Sequence, residues 1–142
     1  MKLTDVNLLL YAVDTAAPLH ALARRWLETE LSGGETFAFS WPVILAFLRL
    51  STSPRVFDSP LQPAEAFDLV DSWLALPNTT VVNPTDRHSA LLRQLLVPLG
   101  AAGNLVTDAH LAALSIEHGA ELCSSDADFS RFSGVRWRNP LS

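Results

Sequence analysis

Residues 1–14 read MKLTDVNLLLYAVD. From Leu3 to Val13 the run is almost wholly apolar, with the length and composition of a strand buried on both faces, as in a parallel sheet. Two polar side chains interrupt it, Asp5 and Asn7. A carboxylate in such a run is costly unless it is paired or metal-bound, so Asp5 is the first candidate for chemistry. Asn7 reads more simply, as a side chain that satisfies backbone groups at the strand's end.

Outward from this run, strands and helices alternate. Leu19, Leu22, Ala23, Trp26 and Leu27 recur at helical spacing up to Ser32-Gly33-Gly34, a stop signal. Thr36 to Ser40 reads as a short strand. Pro42 opens a second helix through about Ser51, which Ser53-Pro54 ends. Ala66, Phe67, Val70, Trp73 and Leu74 mark a third helix between Pro63 and Pro77, and the β-branched run Thr79 to Val82 a strand. His88, Leu91, Leu92, Leu95 and Leu96 share one helical face, followed by a loop at 101–103. A further helix runs from about Thr107 to His118 and is capped by Gly119. Glu121 to Ser124 is a strand, Asp126 to Phe132 a short helix or turn, and Val135 to Arg138 a last strand. This order predicts a single α/β domain over residues 1–142, with a central parallel sheet between two helical layers.

Composition limits the function classes. The chain has 142 residues, 49% of them hydrophobic, enough to bury roughly two-thirds of its unfolded surface without a disulfide or structural metal. A lone cysteine, Cys123, excludes a disulfide framework. The start lacks a secretory n-region and h-region, and no apolar run approaches the ~20 residues of a membrane span, so a cytoplasmic protein without membrane contact is expected. The net charge of −5 argues against passive binding of a polyanion. Nucleic acid would need supplied cations or concentrated arginines such as Arg55, Arg131, Arg136 and Arg138.

In open parallel sheets, ligands sit outside the carboxyl ends of the strands. Asp5 falls at or near the end of a short first strand, Asp108 opens a helix in GNLVTDAHLAAL, and Asp126 follows the strand in CSSDADF, with Asp128 close behind. Converging carboxylates repel one another, and a hard divalent cation removes the conflict. Oxygen-only ligation suits Mg²⁺ or Mn²⁺, and such an ion activates water and stabilises charge on a phosphodiester.

Simpler readings stand beside this one. Asp108 next to Thr107 also looks like an ordinary acid at a helix amino terminus, and Asp126 and Asp128 like cap or turn residues. Asp5 resists such an explanation. His20, His88, His110 and His118 show no ligand spacing and read as surface or packing residues. Trp26 and Trp73 read as core. Phosphoryl-aspartate chemistry would need a downstream lysine, and the only lysine is Lys2. No GxSxG elbow, Walker loop or GxGxxG occurs, and no base stands near Cys123 in sequence to activate it.

TDVNLLLYAVD, WPVILAFLRLSTSPRVF, GNLVTDAHLAALSIEHGAELCSSDADF and GVRWRNPL, in that order, resemble the PIN-domain ribonucleases, specifically the VapC toxins of VapBC toxin–antitoxin modules. The likeness covers nearly the whole chain. It implies an α/β/α sandwich and a Mg²⁺- or Mn²⁺-dependent endoribonuclease, held inactive by an antitoxin whose carboxyl-terminal segment wraps the toxin's groove. A homodimer is a further family expectation. It also implies metal ligation by Asp5, Asp108 and Asp126, with Asp128 a fourth acid at the catalytic site. Asp126 and Asp128 would then orient the attacking water, and the products would carry a 5′-phosphate and a 3′-hydroxyl.

The chain departs from that pattern in its second helix. Many members carry a Glu a few residues before an Arg, whereas here VILAFLR places Ala46, and no carboxylate lies between Pro42 and Ser53. The departure weakens a second metal site and keeps Arg49 as a candidate RNA or antitoxin contact. It also leaves open a catalytically weakened PIN-like module that binds RNA or a protein. A DNA repair flap nuclease is a third reading, disfavoured by the short chain without a basic tail.

Overall fold

The computed structural model describes residues 1–100 and 102–142. Ala101, part of the loop expected at 101–103, lies outside them. Five strands form an all-parallel sheet in the order β3-β2-β1-β4-β5. They are β1 (Lys2–Thr4), β2 (Phe37–Phe39), β3 (Thr79–Val81), β4 (Glu121–Cys123) and β5 (Trp137–Arg138). The helices are α1 (Val6–Val13), α2 (His20–Leu31), α3 (Trp41–Ser51), α4 (Pro63–Leu74), α5 (His88–Leu96) and α6 (Leu105–Glu117). Packing of α1 on α2 and α3, and of α3 on α4, makes one helical layer, while α5 and α6 pair in the other. The expected α/β/α sandwich is the observed one.

The opening run is the exception. It is a three-residue strand followed by an eight-residue helix, and the boundary between them is Asp5. A continuous apolar run does not distinguish a buried strand from a buried helix. The capping chemistry does: Asp5 is extended (φ −83°, ψ 162°) and its Oδ1 accepts the Val6 N–H at 2.7 Å, so the chain turns helical there. Leu8, Leu9 and Ala12 of α1 are buried.

Elsewhere the punctuation read from the sequence operates as expected. Pro42 and Pro63 occupy first turns, where the missing N–H costs nothing. Gly119 sits at φ +62° immediately after His118, the C-cap of α6, a left-handed conformation that a side chain resists. The last strand is shorter than expected, two residues against four. All three residues of β2 are buried, as a strand covered on both faces requires. An aromatic cluster fills one face, with Phe37 edge-on to Trp26 and Phe39, and Trp73 stacked on Phe39 and edge-on to Phe47. Among the described residues no helix is long and apolar enough to cross a membrane.

Because α1 packs into the core through a wholly buried leucine, Leu9→Ala should lower the unfolding free energy by about 2–5 kcal/mol, measured by denaturant titration. A loss below about 1 kcal/mol would contradict this packing.

Candidate functional site

Parallel pairing of β1 with β4 puts two strand ends side by side. The Asp5 N–H donates to the Cys123 carbonyl at 2.9 Å, fixing Asp5 beside the residues that follow β4. There Ser124, fully buried, is a hub. Its hydroxyl donates to Asp5 Oδ2 at 2.7 Å and accepts from Asn7 Nδ2 at 3.1 Å and from the Asp126 N–H at 3.0 Å. Asn7 Nδ2 also reaches Asp5 Oδ2 at 3.4 Å, and Asn7 Oδ1 accepts from the Ser125 N–H at 3.4 Å. Asn7 thus braces the two strand ends. Ser124 was not singled out from the sequence, although its place between a strand and Asp126 was a usable signal.

Asp108 arrives from the other direction. Its helix begins at Leu105, earlier than expected, so Asp108 lies within the first turn and does not open the helix. The residue at the capping position, Asn104, makes no side-chain capping hydrogen bond. With Asp5 it lines a cleft of about 60 Å³, walled by Ser40, Pro42, Val43, Ala46, Thr107, His110 and Leu111 among others. Ala46, the position where many relatives of this pattern carry Glu, lies in that wall.

The remaining candidates are less enclosed. Asp126 caps the 3-10 helix Ala127–Arg131, its Oδ1 accepting the Asp128 N–H at 2.9 Å, so the simple cap reading describes its contacts. Asp128 is exposed, as is Arg49 in the last turn of α3. Neither lines the cleft. Among the described residues, no three His, Cys, Asp or Glu side chains stand together as a formed metal site.

Charge nevertheless couples the acids. Burial pushes the Asp5 carboxyl above the ordinary carboxylate range; the hydrogen bonds from Ser124 and Val6 oppose this and the charge of Asp126 adds to it. Asp108 is pushed up to about 6, first by burial and then by the charges of Asp5, Asp126 and Asp128. All four acids therefore share one electrostatic environment with a deficit of positive charge. That deficit and the carboxylate oxygens of Asp5 and Asp108 fit a hard divalent cation.

His88 and His110, read as surface or packing residues, pack as a connected pair between α5 and α6, with His88 Nε2 2.8 Å from His110 Nδ1 and His88 Nδ1 2.6 Å from Glu117 Oε2. Burial and the neighbouring His88 push His110 below the ordinary imidazole value, against a smaller opposite pull from Glu117. Burial would raise Glu117, but hydrogen bonds from Thr85 and His88 hold its carboxyl below the usual range. The signal available in sequence was spacing: His110 and Glu117 are seven apart, on one helix face. Cys123 is inert, its thiol pushed up to about 12, mainly by burial.

A PIN domain model matches residues 2–135. The chain is 48% identical over 140 residues to ribonuclease VapC37 of Mycobacterium tuberculosis, covering 99% of this chain and 97% of that protein. It is 42% identical over 141 residues to ribonuclease VapC33 of the same species, covering 99% of each. Among solved structures, VapBC2 from Rickettsia felis, bound to a DNA fragment from its promoter, superposes with a TM-score of 0.71 at 18% identity over 97% of both chains. VapBC-1 from nontypeable Haemophilus influenzae gives 0.64 at 13% identity, over 99% of this chain and 98% of that one.

The raised Asp108 carboxyl carries a stability consequence. Its folded value of about 6 lies above the ordinary 3.8, so its ionisation destabilises the fold progressively from about pH 4 upward and fully above about pH 7. Two units correspond to about 3 kcal/mol at most, which partial exposure reduces to about 1 kcal/mol. Asp108→Asn should therefore raise the Tm of the chelator-treated protein by a few degrees at pH 8 and not at pH 4. An equal shift at both pH values would contradict the mutual repulsion of the acids. The chain belongs to the PIN-domain ribonucleases of the VapC type.

Proposed function

We propose that this chain is the toxin of a type II toxin–antitoxin pair, an endoribonuclease that hydrolyses RNA phosphodiester bonds with Mg²⁺ or Mn²⁺. The observation that carries the reading is that Asp5 and Asp108, from different strand-to-helix junctions, line one cleft with their carboxyls raised. Asp5 and Asp108 are the core ligands, and Asp126 contributes directly or through water. When bound, the cation neutralises the acids, lowers the pKa of a coordinated water and offsets charge on the scissile phosphate.

The protein's own part is positioning. Asp5 is held by the Val6 N–H and the Ser124 hydroxyl, so its carboxylate has little freedom to turn away. Asp108 rides on the first turn of α6. Asp126 and Asp128 stand outside the cleft, where they add negative field and orient water at its mouth. Ala46 offers no oxygen, which favours a single ion.

The partner assignments follow from the surface. Trp41 and Leu45, 49% and 59% exposed, lie at four-residue spacing on α3, with Arg49 a further turn along. An apolar stripe ending in a guanidinium suits the carboxyl-terminal segment of an antitoxin. The relatives' printed names, ribonucleases and VapBC assemblies, support both the activity and the partner. Homodimerisation and a cytoplasmic site of action complete the proposal.

The test is cleavage of total cellular RNA by the purified, antitoxin-free chain with Mg²⁺ or Mn²⁺, then with chelator. Discrete fragments should require the metal and disappear in Asp108→Ala and in Asp5→Asn, which keeps the acceptor for Val6. A folded wild-type chain that cleaves no RNA would turn the assignment to a module that binds RNA or a protein. Ala46→Glu should tighten Mn²⁺ binding by roughly tenfold through an added carboxylate, read by calorimetry; unchanged affinity would remove position 46 from the ion's surroundings.

A further inference from the structure

Away from the acid cleft, polar side chains join the segment after β3 to α6. Glu117, whose side chain is wholly buried, accepts on Oε1 from the Thr85 N–H at 2.9 Å and the Thr85 hydroxyl at 2.6 Å. Its Oε2 lies 2.6 Å from His88 Nδ1, and His88 Nε2 lies 2.8 Å from His110 Nδ1. His118 Nε2 donates to the Asn83 carbonyl at 2.8 Å. His88 is the first residue of α5, so one ring at the start of that helix is bound through both nitrogens to α6, at positions 110 and 117.

Two attachments do what one cannot. Positions 110 and 117 share one face of α6, about 10 Å apart along its axis. A helix held at one point still pivots and slides about it; held at two by the same ring, it keeps its register. The apolar packing of α6 fixes register less sharply. Ala109, Ala112 and Ala113 are buried, and methyl groups raise only shallow ridges, while the burial of Leu111 and Leu114 is non-directional. Stability does not explain the cluster either, because a buried carboxylate and its partners often stabilise no more than apolar side chains of their size. The same helix carries Asp108, and Asp108 and His110 line the cleft together. Asp5 belongs to a different element, so the placement of α6 decides whether the two carboxylates meet.

We propose that Thr85, His88 and Glu117 are positioning residues of the site: by fixing the register of α6, through Glu117 and His110, they hold the Asp108 carboxylate in the cleft with Asp5. This rests on the reading of the cleft as the nuclease site. The staple needs a proton between each facing pair of atoms and no particular charge on either imidazole. A displacement of about 1 Å far from the chemistry is enough to lower a rate about a hundredfold, so a small slip of α6 is measurable.

Two readouts on Glu117→Leu, which removes the carboxylate's contacts at similar volume, test it. In the chelator-treated protein the backbone amide resonances of Asp108 and its neighbours in the cleft should shift, although Asp108 lies about 13 Å along α6 from the substitution. Mn²⁺ affinity, read by calorimetry, should fall about tenfold or more, and kcat/KM with it. Glu117→Gln keeps the shape and an oxygen for Thr85 but not the charge; its affinity should stay within about threefold of wild type, since a charge at that distance is screened. His88→Leu, which cuts the staple and leaves Glu117 with Thr85, should lower affinity as Glu117→Leu does, and the double variant should lose no more than the larger single loss. A folded Glu117→Leu with wild-type Mn²⁺ affinity, or with unmoved Asp108 resonances, would overturn the proposal. An equal loss in Glu117→Gln would also overturn it, by assigning the effect to charge. Unfolding of both leucine variants would do the same, since the cluster would then hold the whole fold and not the register of one helix. A wild type that binds Mn²⁺ and cleaves no RNA, with the variants behaving as stated, would instead refute the nuclease reading and leave the positioning role standing.

Discussion

A half-buried carboxylate at the carboxyl end of the central strand is the constraint from which the rest of the site follows. Asp5 cannot sit there as a bare anion, so its oxygens are occupied by the Val6 N–H and the Ser124 hydroxyl. The first contact ends β1 and starts α1; the second ties β1 to β4 across the sheet. One side chain thereby sets a strand–helix boundary and a strand-end geometry, and its charge adds to the burial that raises Asp108. The site therefore opposes the fold electrostatically, as sites built from like charges do.

Topology decides which residues feel that field. In the order β3-β2-β1-β4-β5, β1 has β2 on one side and β4 on the other. The connection after β1 leads to β2 and that after β4 leads to β5, in opposite directions along the sheet, which opens a crevice at the carboxyl ends of these strands. The residue after β2 is Ser40, that after β1 is Asp5, and that after β4 is Ser124. Three adjacent strand ends thus deliver two hydroxyls and a carboxylate to one edge, and α6 lowers Asp108 and His110 onto it from the second helical layer. Asp126, one step further from β4, acts on this edge through its charge more than through contact.

The parts of this arrangement that depend on local chemistry were legible in the sequence. Apolar spacing located α2 to α6, and Pro42, Pro63 and Gly119 bounded them, because capping and backbone restriction act over a few residues. The opening run was misread because continuous apolarity carries no period, and the residue that resolved it, Asp5, was read for its chemistry before its capping. Asp108 was read as opening its helix, yet α6 starts at Leu105, so its place inside the first turn emerged only in three dimensions. The His88–His110 contact joins two helices across 22 residues of sequence. No local rule foresees such a contact, although the shared face of His110 and Glu117 hinted at it.

Ala46 links these observations. A carboxylate there would add a further like charge to a cleft in which Asp108 is already pushed up to about 6, deepening the penalty of holding the acids together without a cation. Alanine leaves a wall formed by Pro42, Val43, Ala46 and Leu111, apolar enough to keep the local dielectric low and each remaining polar contact strong. Fewer ligand oxygens leave Asp5 and Asp108 as the two carboxylates that line the cleft, so burial and their mutual repulsion set its electrostatics.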